Sequence, residues 1–306
     1  MVRREDIAER IAPFVSRQAS ALVDAAGPEI DVVKQLTQTV PTRWAADYFG
    51  CPPTSEEELS AWSSVIFQYL FTDLNNDPAV GKAAREAAEG ARNWLDRTIA
   101  DRKAQPNGND DVLNRCLALQ KAGLPAMSDL DIRNNLLGLI TGAIPTTSKC
   151  CAQALDQLLD RPDALAGAQK AAQADDDALL AAYVFEALRF NPNNPGLFRI
   201  AAEDYVVAKG TPRATTIRKG TTVFPATQSA MFDDRVVDRP NEFHTDRPAY
   251  LDMHFGYGMH ACFGKYVNRV QIPGILKPLL KKPRIARAGA IEYDGPFPSS
   301  LRVYLQ

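Results

Sequence analysis

The chain has 306 residues, of which 45% are hydrophobic and 24% are charged, and its formal net charge at pH 7 is −2. This composition fits one or two globular domains with a substantial core, and the near-neutral charge gives no electrostatic basis for binding nucleic acid or an anionic membrane. No apolar run is long enough for a membrane span, and the charged start at 1–6 does not resemble a secretory signal. The five cysteines form no C-x-x-C pair, so we expect reduced thiols and a cytoplasmic location.

The first half of the sequence predicts helices joined by short breaks. Apolar residues recur at helical spacing in each segment, and pairs such as glycine-proline or asparagine-glycine separate them. These helices are predicted at 4–25, 31–49, 55–72, 78–103 and 110–121. Thr54 followed by Glu57 predicts a capping box at the start of the third helix.

The longest predicted helix covers 129–159, and the segment 128–131 can cap it. Its middle, 136–144, is apolar almost all round, which is typical of a helix that runs through the centre of a protein. Pro145 removes the N–H that would bond to the Thr141 carbonyl, so the helix is predicted to bend there.

The second half changes from helices to a mixture of helices, strands and turns. Two helices are predicted to begin at Asp163 and at 175–177, the second ending at Phe190. Strands are predicted at 198–200, 205–207 and 221–224, followed by a packed coil at 232–250 and a last helix at 265–279. The segments 283–286 and 301–305 are predicted to form a final strand pair. We find no repeat or linker, so the prediction is a mainly α (α+β) fold in a single domain, 1–306.

The stretch 254–264 carries the strongest chemical signal. Cys262 lies in a glycine-rich turn just before a predicted helix, where unpaired N–H groups and the helix dipole stabilise a thiolate. The glycines let the backbone approach a large flat group. A thiolate that receives such donors suits the axial position of a haem iron, although a free cysteine beside a turn is the simpler alternative.

This stretch resembles the cysteine-ligand loop of the cytochrome P450 family, whose pattern is F-x-x-G-x-[R/H]-x-C-x-G. The matching residues are Phe255, Gly258, His260, Cys262 and Gly264. The resemblance implies a P450-like helical fold with small β-sheets and a haem b cofactor, iron protoporphyrin IX.

The resemblance also implies the roles of the residues in this loop. Cys262 would be the metal ligand, and its thiolate would push electron density onto the iron and help to break O–O bonds. Phe255 would pack beside the sulfur, and Gly256 would belong to the same cofactor-binding turn. His260 would meet a haem propionate, as would Arg199, for which a surface arginine is the alternative.

A second motif lies upstream. Glu186 and Arg189 are three residues apart and share a helix face, which alone usually means a solvated pair. Because they precede 195–199, they resemble the E-x-x-R helix of the same family and the strand after it. With Arg247, they match the buried structural triad beneath the haem, although Arg247 could instead be a surface arginine.

Two departures from the family pattern bear on function. The chain is expected to begin near the family's helix C or D, so the N-terminal sheet, the early helices and a distal substrate loop are expected to be missing or to come from another polypeptide. The central-helix pattern A-G-x-[D/E]-T-[T/S] reads 142–147 here, with Ala143, Pro145 and Thr146 at the site where oxygen binds in the family. Pro145 replaces the acid of the proton relay, and water or the Thr146 hydroxyl is expected to satisfy the freed Thr141 carbonyl.

A narrower resemblance points to hydroperoxide chemistry. The segments 43–50, 65–73 and 247–250 resemble the haem-thiolate domains of fungal fatty-acid dioxygenase–isomerase fusions, the linoleate diol synthases, which need no reductase. We therefore expect an oxidoreductase, of monooxygenase, peroxygenase or hydroperoxide isomerase type, that acts on a small lipophilic, fatty-acid-like substrate with peroxide or hydroperoxide as oxygen source.

Two alternatives remain open at this point. One is an O2-dependent monooxygenase with a ferredoxin partner that docks on Lys265 and Arg269. The other is a non-catalytic haem-binding subunit. The expected protein partner would be a ferredoxin, a dioxygenase or the polypeptide that supplies the N-terminal region.

Overall fold

Helices form most of the molecule. The structure is a computed structural model that describes residues 1–305, and in this range the chain forms ten α-helices. They are α1 Ala12–Asp24, α2 Thr39–Phe49, α3 Glu56–Phe67, α4 Pro78–Ala104, α5 Val112–Lys121, α6 Asp129–Leu159, α7 Pro162–Gln173, α8 Asp177–Phe190, α9 Thr227–Ala230 and α10 Lys265–Leu280. Three π-helical turns extend the early helices, at Ile7–Ile11, Val33–Thr37 and Gln68–Thr72. The predicted mainly α fold is confirmed.

The central helix is α6. It packs against α2, α3, α4, α8 and α10, and most of its C-terminal half is buried. Ser128 and Asp131 form the predicted cap, each side chain accepting a hydrogen bond from the other's backbone N–H. The helix continues through Pro145 as a single element, and the bend expected there stays a prediction. One continuous cluster of buried apolar residues surrounds it and extends from Ile11 to Val303.

The cap of α3 lies one residue later than the sequence predicted. Ser55 has extended backbone angles, and its hydroxyl accepts the N–H of Glu58 at 3.2 Å. The predicted pair, Thr54 with Glu57, is therefore wrong. Because α3 begins at Glu56, only the Ser55 side chain is in register with the third amide of the helix.

The strands form small antiparallel sheets. A three-stranded sheet has the order β1-β9-β6, where β1 is Glu29–Asp31, β6 is Ile285–Arg287 and β9 is Arg302–Leu305. The other pairs are β2 Arg199–Ile200 with β5 Thr222–Val223, β3 Tyr205–Val207 with β4 Thr215–Ile217, and β7 Glu292–Asp294 with β8 Phe297–Ser300. The final strand pair was predicted, whereas β1, β4, β7 and β8 were not. None of the described helices combines the length and apolar character that a membrane crossing requires.

Candidate functional site

The cysteine loop is closed by its own backbone. The Cys262 N–H donates to the Phe255 carbonyl at 2.7 Å, and α10 begins three residues after the cysteine. Gly256 and Gly258 have φ angles of +68° and +69°. A side chain at either position would be strained, so these two glycines are needed for the turn itself.

The thiol of Cys262 is held where a metal could bind it. The residue is exposed on one side, and the backbone N–H groups of Gly264 and Lys265 lie against its sulfur. Burial of the sulfur by the surrounding loop raises the pKa of the Cys262 thiol, and these two donors partly oppose that shift. A thiolate here therefore requires a nearby cation, and a coordinated metal supplies one.

A cavity of about 190 Å³ separates the cysteine loop from the central helix. On the helix side it is lined by small residues, among them Gly138, Gly142 and Ala143. A Cβ added at Gly138 or Gly142 would meet no atom within 4 Å, so both positions face open space. The arrangement leaves room for a flat group between α6 and the sulfur.

Three aromatic residues of α2 form another wall of this cavity: Trp44, Tyr48 and Phe49. The indole N–H of Trp44 is buried and has no hydrogen-bond partner within residues 1–305. Helical spacing in the sequence places Trp44 and Phe49 on an apolar face of α2 but does not show that this face borders a cavity, so their connection with the site could not be predicted.

Tyr48 is tied to a buried ionic network. Its hydroxyl donates to Asp6 at 2.6 Å, and Arg115 donates to both oxygens of the same carboxylate. Desolvation, together with the hydrogen bond to Asp6, raises the pKa of Tyr48 to about 12. At neutral pH the phenol therefore keeps its proton.

Two of the three predicted distal residues face the same cavity. Ala143 and Thr146 line it, whereas Pro145 lines a separate small recess on an adjoining face of α6. The Thr146 hydroxyl donates to the carbonyl of Gly142, so it does not satisfy the Thr141 carbonyl as the sequence analysis allowed. Asn268, which sequence reasoning missed, lines the cavity and accepts a hydrogen bond from Thr147 at 3.1 Å.

The structure brings Glu186, Arg189 and Arg247 together. The two oxygens of Glu186 accept bonds from Arg189 at 2.8 and 2.9 Å, and one of them also accepts from Arg247 at 3.0 Å. The side chains are 5%, 5% and 12% exposed, respectively. Arg247 is therefore not a surface arginine, which was the alternative that the sequence left open.

Both arginines also hold the coil that leads to the cysteine loop. Arg189 donates to the carbonyls of Met231 and Glu242, and Arg247 donates to those of Asp238, Arg239 and Glu242. The Glu186 carboxylate in turn accepts the backbone N–H of His244 at 2.9 Å. These bonds fix the segment 231–247 to α8, which explains how a long coil remains packed.

The remaining predicted residues lie away from this cavity. Arg199 is exposed and donates to the carbonyl of Phe198, and His260 is exposed in the turn before Cys262. Neither side chain lines the cavity in the described chain, so their contact with a propionate stays a prediction. Arg269 pairs with Asp252 and lies 5.8 Å from the Phe255 ring, so its charge is already used within the fold.

The ligands available at the cavity fit a haem. Across residues 1–305, no group of three His, Cys, Asp or Glu side chains could hold a metal ion. A metal at Cys262 must therefore bring its other ligands with it, as a porphyrin does. The glycine-lined helix opposite and the unpaired Trp44 N–H suit a flat group with polar edges. The fold and this loop together define the class of haem-thiolate proteins.

The comparisons with known proteins agree. The sequence model of the family described as Cytochrome P450 matches residues 56–285. A bifunctional dioxygenase–epoxy alcohol synthase of Fusarium oxysporum is 25% identical over 90% of this chain and 24% of its own length. The erythromycin C-12 hydroxylase of Saccharopolyspora erythraea is 26% identical over 93% of this chain and 67% of its own. The crystal structure of Mycobacterium smegmatis CYP164A2 superposes with a TM-score of 0.84, at 23% identity, over 99% of this chain and 76% of that one.

The chain belongs to the cytochrome P450 family, and the cofactor class of that family is haem. It spans about a quarter of the fungal relative's length and about two thirds of the bacterial hydroxylase's.

Proposed function

We propose that this chain is a haem-thiolate oxidoreductase that acts on a small lipophilic, fatty-acid-like substrate and favours a peroxide or hydroperoxide as its oxygen source. The observation that carries the proposal is the lining of the cavity beside Cys262. Within residues 1–305 it includes no carboxylate, imidazole or amine. Reactions that start from dioxygen need protons delivered on that side, whereas cleavage of an existing O–O bond does not need such a relay.

The bound haem b would supply the redox chemistry and the electron-rich iron that a thiolate ligand creates. The protein's own residues would then orient the cofactor and leave space beside it. Cys262 would ligate the metal from a loop that Gly256, Gly258 and the bond to Phe255 hold rigid. Gly138 and Gly142 leave space on the opposite side, and Trp44 can donate to a polar group at the edge of the cavity.

The hydroxyl groups in the cavity are poor proton sources. Thr146 directs its proton to the Gly142 carbonyl, and Pro145 occupies the position of the family's acid without any titratable group. Tyr48 donates to Asp6, and its pKa is raised to about 12. Apart from Asn268, the other walls are mainly apolar, with Leu139, Phe263 and Val267 among them, which supports a lipophilic substrate.

We predict that turnover driven by a fatty-acid hydroperoxide exceeds turnover driven by NAD(P)H with surrogate ferredoxin and ferredoxin reductase. The comparison uses one haem-loaded preparation and counts product per haem. The reason is that the O–O bond of a hydroperoxide is already reduced by two electrons relative to dioxygen, so no electrons have to be delivered and the absent acid at Pro145 matters little. Coupled NAD(P)H-driven hydroxylation with inert hydroperoxide would refute the proposal.

Replacing Thr146 with valine should slow the hydroperoxide reaction less than about ten-fold, equivalent to about 1.4 kcal/mol of barrier. The Thr146 hydroxyl is bonded to the helix backbone, so its loss removes no proton donor that the reaction uses. Valine keeps the volume and shape of threonine, so the cavity is preserved. Thr141→Val is the matched control, because Thr141 lies on the same helix outside the cavity lining and its hydroxyl has no partner within residues 1–305. A much larger loss for Thr146→Val alone would show that the Thr146 hydroxyl takes part.

The second candidate is an O2-dependent monooxygenase that receives electrons from a ferredoxin. The observation in its favour is the similarity to bacterial enzymes named as hydroxylases or monooxygenases, at 25–28% identity over most of this chain. The predicted docking residue Arg269 lends it little support, because the guanidinium is paired with Asp252. The same comparison of oxygen sources separates the two functions.

A further inference from the structure

Lys149 is a buried cation without a counter-ion. Its side chain leaves α6 one turn beyond Thr146, and the residue is only 9% exposed. Within residues 1–305, the ammonium makes no hydrogen bond or ion pair, and its only close aromatic neighbour is the Phe297 ring at 5.9 Å. Desolvation lowers the pKa of Lys149, and the neighbouring Cys150 thiol rather than a carboxylate opposes this shift. The ammonium nitrogen is not among the fully enclosed polar atoms that lack a partner, so it still reaches water, but a charge that has lost most of its water favours an anionic ligand.

The Lys149 side chain lines a small recess between α6, α3 and β8. The recess has a volume of about 10 Å³, about the size of one water molecule. Its other polar lining residues are Gln38, Ser60, Ser64 and Ser148, and no acid is among the described residues around it. Ser64 and Ser148 already bond within the protein, whereas the side chains of Gln38 and Ser60 make no bond among residues 1–305. The recess therefore offers a cation and uncharged donors, which is the chemistry that binds a carboxylate.

The recess opens into a larger groove. The groove, of about 1020 Å³, shares five lining residues with the recess. They are Gln38, Ser60, Ser64, Phe297 and Pro298. Trp62, Val65, Ala83 and Ala87 give the groove apolar walls suited to a hydrocarbon chain.

The acids of the groove do not counter the charge of Lys149. Glu56 is paired with Arg43 at 2.9 Å, and Glu86 lies 3.8 Å from Lys82. Glu57 and Asp294 also line the groove, but both are exposed, where water and salt screen them.

The geometry points to a carboxylate-binding site at Lys149 for an amphipathic carboxylic acid, with one carboxylate oxygen in the recess, the rest of the carboxylate at its mouth and the hydrocarbon chain along the groove. The recess has room for about one water, which is the space of one carboxylate oxygen, and the flexible four-carbon stem of the lysine lets its ammonium reach that oxygen. The proline before Thr146 lines this recess while Thr146 lines the haem-side cavity, so the two sites lie on adjoining faces of α6. Lys149 is about 4.5 Å along the helix axis from Thr146, from three residues of rise.

This inference rests on the proposed function only for the fatty-acid-like character of the ligand, and its test does not use turnover. Dodecanoate and dodecan-1-ol have hydrocarbon chains of the same length but differ in the head group that Lys149 would bind, which is a carboxylate in the first and a hydroxyl in the second. Their binding to the haem-loaded protein is measured by calorimetry. We expect dodecanoate to bind about ten-fold or more tightly than the alcohol, as a charge-assisted contact in a recess allows.

Lys149→Met should remove this preference, leaving the two affinities within about two-fold, while Lys149→Arg should keep most of it. The methionine variant should fold, because it replaces an unpaired buried cation with an apolar chain of similar length. Lys34 lines the same groove but its side chain is 67% exposed, so Lys34→Met is the matched control and should leave dodecanoate binding unchanged.

Undiminished preference in Lys149→Met, or equal binding of both ligands by the unmodified protein, would overturn the assignment. If the hydroperoxide reaction fails but dodecanoate still binds more tightly than the alcohol, the proposed function is wrong and the carboxylate site remains supported. If the hydroperoxide reaction succeeds but the two ligands bind equally, only the carboxylate site is wrong.

Discussion

Cys262→Ala should abolish thiolate-ligated haem in this protein. The ferrous–CO spectrum of the unmodified protein should show the long-wavelength band typical of thiolate ligation, and the variant should lack it entirely. Alanine removes the only side chain of the loop that can ligate a metal in the cavity. The turn should survive the change, because Gly256, Gly258 and the backbone bond to Phe255 do not depend on the sulfur. Haem content by pyridine haemochrome and secondary structure by circular dichroism complete the measurement.

Cys150→Ala is the matched control for this experiment. Cys150 lies on α6, close enough for its charge to interact with that of Cys262, and burial raises the pKa of its thiol to about 12. A thiol that resists deprotonation is a poor metal ligand, so its loss should leave the band unchanged. A long-wavelength band that persists in Cys262→Ala, or that disappears only in Cys150→Ala, would show that the wrong cysteine was assigned.

The long helices could be predicted because their signals are local. The helix predicted at 129–159 has a capping segment, an apolar middle and a length that is too great for a strand, and the structure places α6 at those limits. The strand Glu29–Asp31 could not be predicted in the same way. It has three residues, and its partner Arg302–Leu305 lies at the other end of the chain. Short strands owe their existence to such distant pairing rather than to their own sequence.

In the candidate site, too, the residues with a local sequence signal could be predicted, and those defined by long-range packing could not. Phe255 and Cys262 were predicted from a motif in which the residues are neighbours, and the backbone bond between them is present. Trp44 and Lys149 could not be predicted as site residues. By its spacing Trp44 is an ordinary residue of an apolar helix face, and Lys149 is an ordinary polar residue of a helix. Only packing shows that the Trp44 N–H has no partner and that Lys149 has no counter-ion.

Glu186→Ala should have the second largest effect, on stability and haem content together. The carboxylate lies between the guanidinium groups of Arg189 and Arg247, both largely buried. Its removal leaves two cations without a counter-ion in a site that excludes most water, at a cost of about 3–5 kcal/mol. The two arginines also hold the carbonyls of 231–247, so the coil before the cysteine loop should loosen when they reorganise.

The measurements are the urea midpoint of unfolding and the haem bound per chain. Glu242→Ala is the matched control, because this carboxylate lies in the same coil but its side chain is 58% exposed, and its surface pairs should contribute about 1 kcal/mol or less. Glu186→Gln should fall between the two, since it keeps an acceptor oxygen but loses the charge that balances the arginines. If Glu186→Ala is as stable and as fully loaded with haem as Glu242→Ala, the network does not support the cysteine loop. If instead haem is lost in proportion to the loss of stability across the three variants, the buried carboxylate acts on the cofactor through the coil that it anchors.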